Sequence, residues 1–264
     1  MQKLRIEKKI INIVSLGWFC GISQEMERNG LRSVSLPFDW LITKDFRKVM
    51  KLIKNGFVGF IKQKDLMQED LCPNYYYDSN TGFRFFHDFN DKESLDVQYI
   101  SVYEKYQRRI LRFYKIIQQP TLFIRYCYNI DELEWVNANI DDIRNSLLKY
   151  NSNNKIIFIY SNSSYAPTFD DCFYVEVSPG DEVSRHCFTQ EILNFIYENV
   201  QIDKMKILKN ILRYNYVHEK RKINIRVKKT LHLIRGNKKE INIQLYTHDS
   251  RVSTFFLNKF NPYK

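Results

Sequence analysis

Short apolar runs alternate with amphipathic stretches along most of this chain. Over 99–118, apolar residues recur at three- and four-residue steps with Lys and Arg between them, which predicts a long helix that Pro120 ends. The short runs are rich in β-branched and aromatic residues and predict buried strands. Strands are predicted over 10–16, 121–126, 155–160 and 173–177, and helices over 23–28, 45–54, 99–118 and 131–150.

The order of these elements predicts the fold class. Strand, helix, strand, helix and strand follow one another after residue 99, which is typical of βαβ units and a parallel sheet. We therefore expect an α/β fold with a largely parallel sheet flanked by helices. Extra strands are predicted at the C-terminal end, over 241–256 around Thr247-His248-Asp249-Ser250.

An aromatic hairpin is predicted over 75–89, with residues 78–82 as its turn. If the returning strand continues through residue 88, Phe83, Phe85 and His87 lie on one of its faces. Arg84, Phe86 and Asp88 then lie on the other face.

The charge is concentrated near the C-terminal end. The 264 residues carry a formal net charge of +11, while residues 204–239 hold thirteen Lys or Arg and one acid, Glu219. We expect a helix to about Tyr214, followed by a strand-like alternation of Ile223, Ile225 and Val227. We therefore predict an α/β domain over 1–200, which holds the candidate catalytic residues described below, and a basic extension over 201–264 packed on it.

Residues 204–239 also predict partners. Such a surface suits an anionic glycan or peripheral contact with the inner face of a membrane. A solvated face in a lysine-rich protein is the alternative. The segment argues against nucleic acid as a partner, because it has few aromatic residues and no nucleic-acid-binding motif.

The five cysteines form no C-x-x-C pair, so neither a zinc knuckle nor a thioredoxin-type motif is present. We predict free thiols in a reducing compartment, with no metal and no cofactor. Asn12 and Ser15 interrupt the first apolar run, which therefore reads as a strand and not as a signal peptide. No run of about 18 apolar residues predicts a transmembrane helix. The predicted location is the cytoplasm.

Cys20 is the candidate nucleophile. It follows a strand and Gly17, and it precedes a helix. A thiol at a helix amino terminus meets unpaired backbone N–H groups, which favour the thiolate and can also stabilise an oxyanion. The alternative is an ordinary buried core cysteine.

His87 is the candidate base, because a cysteine nucleophile needs an imidazole to exchange its proton. The alternative is a histidine packed among aromatic residues. Asp39, Asp88 and Asp91 are candidates to orient the ring. The predicted strand places Asp88 on the face opposite His87, which argues against it.

Six motifs follow one another along the chain: Ser15-Leu16-Gly17-x-x-Cys20, Gly30-Leu31-Arg32, Pro37-Phe38-Asp39-Trp40-Leu41-Ile42, Phe86-His87-Asp88-Phe89, the run from Tyr103 to Ile110, and Leu122-Phe123-Ile124-Arg125. Together they resemble, in the same order, a bacterial family of papain-like cysteine peptidases, a domain of unknown function. The resemblance covers about residues 11–165 and implies Cys20 as nucleophile and His87 as base. It also leaves a papain-like α+β fold as the alternative. Members occur among surface-polysaccharide genes, which suits acyl transfer or other group transfer as well as peptide hydrolysis.

Substrate contacts are predicted at Gly17, Trp18, Trp40 and Arg125. Arg125 ends an apolar strand, where a guanidinium can bind a carboxylate or phosphate in the ligand crevice. An ion pair with Asp131 or Glu134 is the alternative. Trp40 and Asp39 either line the same crevice or fix a turn.

The sequence thus predicts a cysteine-dependent hydrolase or acyl-transfer enzyme with a peptide, small-molecule or surface-polysaccharide substrate. Two other functions stay open. One is a non-catalytic module that binds an anionic glycan or a membrane surface. The other is a glycan-modifying transferase whose anionic donor binds Arg125.

Overall fold

Four parallel strands form the central sheet of the computed structural model. The structure describes residues 6–69, 72–127, 129–160, 173–176 and 190–234. In chain order the elements are β1 (Ile6–Ile10), β2 (Asn12–Ser15), α1 (Cys20–Arg28), β3 (Leu41–Ile42), α2 (Phe46–Lys54), a 3₁₀ turn (Gln63–Asp65), β4 (Leu66–Glu69), β5 (Cys72–Asp78), β6 (Arg84–Phe85), α3 (Leu95–Ile117), β7 (Thr121–Tyr126), α4 (Ile130–Ala138), α5 (Ile140–Leu148), β8 (Lys155–Tyr160), β9 (Phe173–Glu176), α6 (Gln190–Asn199), β10 (Val200–Ile202) and α7 (Lys204–Ile234).

The central sheet has the strand order β2-β7-β8-β9, and every neighbouring pair is parallel. Val14 lies beside Phe123, which lies beside Ile156 on the next strand. All six residues of β7 are buried, as expected for a strand covered on both faces. The predicted α/β fold with a largely parallel sheet flanked by helices is confirmed. The strands predicted over 241–256 lie outside the described residues.

Helices cover both faces of this sheet, and each face has its own apolar core. Alternate residues of one strand point to opposite faces, so Phe123 joins one core and Leu122 and Ile124 join the other. Helices α2 to α5 pack with Val14, Phe123 and Phe158 on the first face. Helices α1 and α6 pack on the second.

A separate antiparallel sheet has the order β3-β6-β5-β4, so the fold as a whole is mixed α/β and is also consistent with a papain-like fold. The predicted hairpin is present, with Tyr76 beside Phe85 and Tyr77 beside Arg84. Its returning strand ends at Phe85. The predicted continuation of that strand through Asp88 is therefore wrong, because residues 86–88 bend away from the sheet.

Two further predicted elements differ in the structure. The helix predicted over 131–150 is divided at Asn139, whose side-chain amide and backbone N–H both bind Trp135 O and so cap α4. The helix predicted to end near Tyr214 is longer in the structure: α7 continues through Ile223, Ile225 and Val227 to Ile234.

β10 pairs in parallel with β1, and α7 follows it and packs against α1. The division into domains 1–200 and 201–264 stays a prediction. Within the described parts of the chain, no helix is both long and apolar enough to cross a membrane.

Candidate active site

Cys20 is the first residue of α1, at the carboxyl end of the parallel strand β2. Its side chain is largely buried, with the residue 7% exposed. The residue before it is Phe19, whose ring has no oxygen to cap the helix. The first turn, Cys20-Gly21-Ile22-Ser23, contains no acidic residue. The thiol therefore lies where the first-turn N–H groups of a helix have no intrahelical acceptor.

A strained turn places Cys20 at this position. Gly17 and Trp18 both have positive φ, +85° and +90° respectively, which is uncommon for a tryptophan. Thr43 holds the backbone of Trp18 from both sides: its Oγ1 accepts from Trp18 N at 2.8 Å and its N donates to Trp18 O at 3.0 Å. A Cβ on Gly17 would lie 2.3 Å from Thr43 Oγ1. Only glycine fits this turn against Thr43.

Arg125 anchors the same turn from β7. It is completely buried, and its guanidinium donates to Leu16 O at 3.1 Å, to Thr43 Oγ1 at 2.8 Å and to Thr43 O at 2.6 Å. It also pairs with the carboxylate of Glu132 at 2.6 Å. The expectation that Arg125 faces a ligand crevice is not met, because all of these contacts lie inside the protein. The alternative ion pair exists, but its partner is Glu132 rather than Asp131 or Glu134.

Asp39 anchors α1 in a second place. It is completely buried, and one carboxylate oxygen accepts from Ser23 Oγ at 2.9 Å. The other accepts from Arg32 Nη1 at 2.8 Å and from Leu36 N at 2.7 Å. Arg32 in turn donates to Ser23 O at 2.7 Å. This network fixes the first turn of α1 and favours a positioning role for Asp39 over orientation of the imidazole.

His87 lies edge-on against the ring of Trp40, with the ring centroids 5.7 Å apart. Trp40 is half-buried, donates from Nε1 to Ser35 Oγ, and has the Arg32 guanidinium over its ring at 5.3 Å. Trp40 follows Asp39 directly. The segment that binds the first turn of α1 therefore also contacts His87.

Asp88 faces α3. Its carboxylate accepts from Tyr106 Oη at 2.7 Å, pairs with Lys105 at 2.6 Å, and lies 3.8 Å from Arg109. Burial, followed by the charge of Asp88, raises the pKa of Tyr106 well above its ordinary value. These contacts favour a framework role for Asp88. Asp91, the third candidate carboxylate, is exposed.

Trp18 is a second predicted contact residue that the structure places inside the protein. Its ring packs against Tyr126, with centroids 5.1 Å apart, in the core on the α1 side of the sheet. Gly17 and Trp18 therefore shape the turn before Cys20. Of the predicted contact residues, Trp40 is the one that is half-exposed.

Cys127 shows what a packed thiol looks like in this fold. Cys20 and Cys127 are both buried cysteines in the thiol form. Cys127 belongs to the core on the other face of the sheet, where burial, and then the charge of Glu132, raises the pKa of its thiol well above the ordinary value. Cys127 therefore suits packing and not nucleophilic attack.

Thr43, Glu132 and Ser23 belong to this framework but are not among the predicted site residues, although the sequence holds signals near them. Arg32 belongs to the motif Gly30-Leu31-Arg32, and Thr43 directly follows the motif that ends at Ile42. The short motifs thus surround the turn that positions Cys20. Among the residues that the structure describes, no group of three or more His, Cys, Asp or Glu side chains could hold a metal ion.

The fold and site define a mixed α/β protein with a buried cysteine at the turn from a parallel strand into a helix. Residues 11–163 match the model of a protein family described as "Putative papain-like cysteine peptidase", and the chain belongs to this family. The match confirms the family resemblance noted above, and supports a cysteine-based hydrolase; it gives no bacterial source.

A relative is the uncharacterized protein R408 of Acanthamoeba polyphaga mimivirus. It is 29% identical over a region that covers 54% of this chain and 73% of the viral protein. No solved structure matches the chain.

Proposed function

We propose that the chain is a cysteine-dependent hydrolase or acyl transferase in which Cys20 is the nucleophile and His87 the general base. The observation that supports this most directly is the buried framework of Arg125, Thr43 and Glu132. It holds a strained turn so that one thiol lies at the amino terminus of α1. Family membership supports the same chemistry.

The proposed reaction has two steps. The Cys20 thiolate attacks a carbonyl carbon, forming a C–S bond, while the first-turn N–H groups of α1 stabilise the oxyanion. The leaving group departs with the proton that His87 had accepted from the thiol. Water or another nucleophile then attacks the thioester, His87 accepts its proton, and the thiol is regenerated.

His87 is proposed as the base because the structure connects its surroundings to α1. Its ring contacts Trp40, and the neighbouring Asp39 is bonded to Ser23, one turn after Cys20 on the same helix. Residues three apart on a helix lie on the same side. The connection from His87 through Trp40 and its neighbour Asp39 to Ser23 supports the choice of His87 as the base for Cys20.

Acylation by p-nitrophenyl acetate tests the proposal without knowledge of the natural substrate. We expect a burst of p-nitrophenolate stoichiometric with the chain, and mass spectrometry should find the acetyl group on the peptide that contains Cys20. Cys20→Ala should abolish the burst. His87→Ala should slow it about 10²–10⁴-fold, the usual contribution of a general base. Both variants should keep the melting temperature of the wild type.

Two matched variants serve as controls. Cys127→Ala removes the other described buried thiol, and His218→Ala removes an imidazole that stacks on Tyr214 in α7. Both should keep the burst. A burst that survives Cys20→Ala, or acetyl groups spread evenly over the cysteines, would leave Cys20 as a packed core residue.

The thioester intermediate is common to several outcomes. Attack by water gives hydrolysis of a peptide or other acyl substrate, and attack by a hydroxyl group gives transfer to a glycan. The predicted surface-polysaccharide substrate, the glycan-modifying transferase and the non-catalytic binding module stay predictions. A sugar or a peptide acceptor is added to the acylated wild type, and the rate of acetyl release is measured. Faster release with the sugar favours transfer to a glycan, and release that neither acceptor speeds favours hydrolysis.

A further inference from the structure

Helix α7 is attached to the rest of the protein by one side of its first turns. Asn210 Nδ2 donates to Gly30 O at 2.8 Å, and Lys206 Nζ donates to Ile11 O at 2.8 Å. Gly30 lies so close to Ile207 and Ile211 that a Cβ there would be 2.5 Å from Ile207 O. The packed side of α7 is therefore defined by Ile207, Asn210 and Ile211.

The opposite side of α7 carries large apolar residues in solvent. At 100° per residue, steps of three, four, four and seven keep a row of residues on one side, roughly opposite Ile207, Asn210 and Ile211. Each member of this row is 49–67% exposed. The row, called the apolar row below, consists of Met205, Leu208, Leu212, Tyr216 and Ile223.

Exposed cations border the apolar row. Lys209, Arg213 and Lys220 lie along one edge and Lys204 and Lys222 along the other, all exposed. Helix α7 contains ten Lys or Arg and a single acid, Glu219, which pairs with Lys222 at 2.7 Å. The helix thus holds nearly all of the net charge of +11.

We propose that α7 binds the surface of an anionic lipid bilayer, with the apolar row at the boundary of the headgroups and acyl chains. The bordering Lys and Arg residues bind lipid phosphates and carboxylates from either side of the row. An apolar face with cations at its edges is the pattern that suits a helix lying in the plane of the interface. The proposal does not depend on the chemistry of Cys20.

The charge and the exposed apolar residues of α7 together favour a lipid surface over other binding partners. A second copy of the chain would bring two strongly basic helices together, which is unfavourable at low ionic strength. A nucleic acid would match the cations but would leave five large apolar side chains without apolar partners. A lipid surface offers acyl chains to the apolar row and anionic headgroups to the bordering Lys and Arg residues.

Vesicle co-sedimentation of the full chain tests the proposal. We expect binding to vesicles of phosphatidylcholine mixed with phosphatidylserine and little binding to phosphatidylcholine alone. Lys209→Gln with Arg213→Gln should weaken binding about 10–30-fold, because each cation near an anionic surface contributes about five-fold. Leu208→Glu with Leu212→Glu should abolish it.

The matched control is Leu111→Glu with Ile100→Glu. Leu111 and Ile100 are 71% and 60% exposed on α3, so this pair adds the same two negative charges to exposed apolar residues outside α7 and should bind anionic vesicles nearly as the wild type does. Equal binding to both vesicle types, or a leucine pair that can be replaced without loss, would overturn the proposal. The proposal would also be overturned if the chain did not bind vesicles and sedimentation velocity showed a dimer that Leu208→Glu dissociates. Retention on an oligonucleotide that depends on Arg213 but not on Leu212 would assign the face to nucleic acid and overturn it as well.

Discussion

Replacing Arg125 by Met tests whether the buried framework holds the turn before Cys20. Met is of similar length but removes the donors to Leu16 O and to Thr43, and it leaves the carboxylate of Glu132 buried without its cation. Removing one partner of a buried ion pair costs about 3–5 kcal/mol of unfolding free energy. For a chain of this size that corresponds to a fall of roughly 6–20 °C in melting temperature.

The double variant Arg125→Met/Glu132→Leu separates stability from positioning. It removes both charges and replaces them by apolar side chains, so most of the lost unfolding free energy should return. The carbonyl groups of Leu16 and Thr43 still lack their donor. The turn should therefore remain loose, and alkylation of Cys20 by iodoacetamide should stay slower than in the wild type.

Thermal unfolding followed by circular dichroism, and alkylation followed by mass spectrometry, measure the two effects. Arg108→Met is the control, because Arg108 pairs with Glu104 at 3.7 Å and both side chains are more than 60% exposed, where such pairs contribute about 0–1 kcal/mol. Loss of less than about 1 kcal/mol in Arg125→Met would refute a supporting role for the guanidinium. If Cys20 in the double variant is alkylated at the wild-type rate, Arg125 contributes to stability but not to the position of Cys20.

Two other predictions concern residues beside this framework. In thermal unfolding, Gly17→Ala should lower the unfolding free energy by more than Gly56→Ala does. Both glycines have positive φ, but an added Cβ clashes with Thr43 at Gly17 and meets no atom within 4 Å at Gly56. Equal losses in the two variants would contradict the clash with Thr43. Burial, and then the charge of Arg84, lowers the pKa of Lys44 from 10.5 to about 8. In the folded chain this amine loses its proton above about pH 8, whereas in the unfolded chain it keeps the proton to about 10.5, so wild-type stability relative to Lys44→Met should rise across that window in urea titrations. A constant difference across the window would contradict the lowered pKa.

The parallel sheet could be predicted because its strands are buried on both faces and therefore read as unbroken apolar runs. The hairpin could be predicted from its turn residues. Asp78 accepts from Asn80 N and Thr81 N at 2.9 and 3.0 Å, the local bonds that make Asp common in such turns. The position of Cys20 at a helix start followed from the strand before it and from Gly17.

The role of Arg125 could not be predicted, because its partner Thr43 is 82 residues away and belongs to a segment with a two-residue strand. The end of β6 at Phe85 depends on tertiary contacts, since the chain must leave the sheet for Asp88 to reach Lys105 and Tyr106 on α3. The alternation near Ile223 is typical of a strand, but the surrounding structure overrides this local preference. Helix α7 begins at Lys204 and continues through these residues.

The desolvation of the buried ion pairs around Cys20 supports the proposal that this thiol has a function beyond packing. A buried ion pair such as Arg125 with Glu132 stabilises a fold little more than well-packed apolar residues would, because desolvation of the charges offsets their attraction. Arg32 with Asp39 is a second buried pair, and both pairs meet the short segment from Asp39 to Thr43. One pair fixes the turn before the thiol and the other fixes the helix turn after it. A cysteine that only fills space, as Cys127 does, needs neither. Two costly charge pairs around one thiol are therefore better explained by a requirement for its exact placement than by stability.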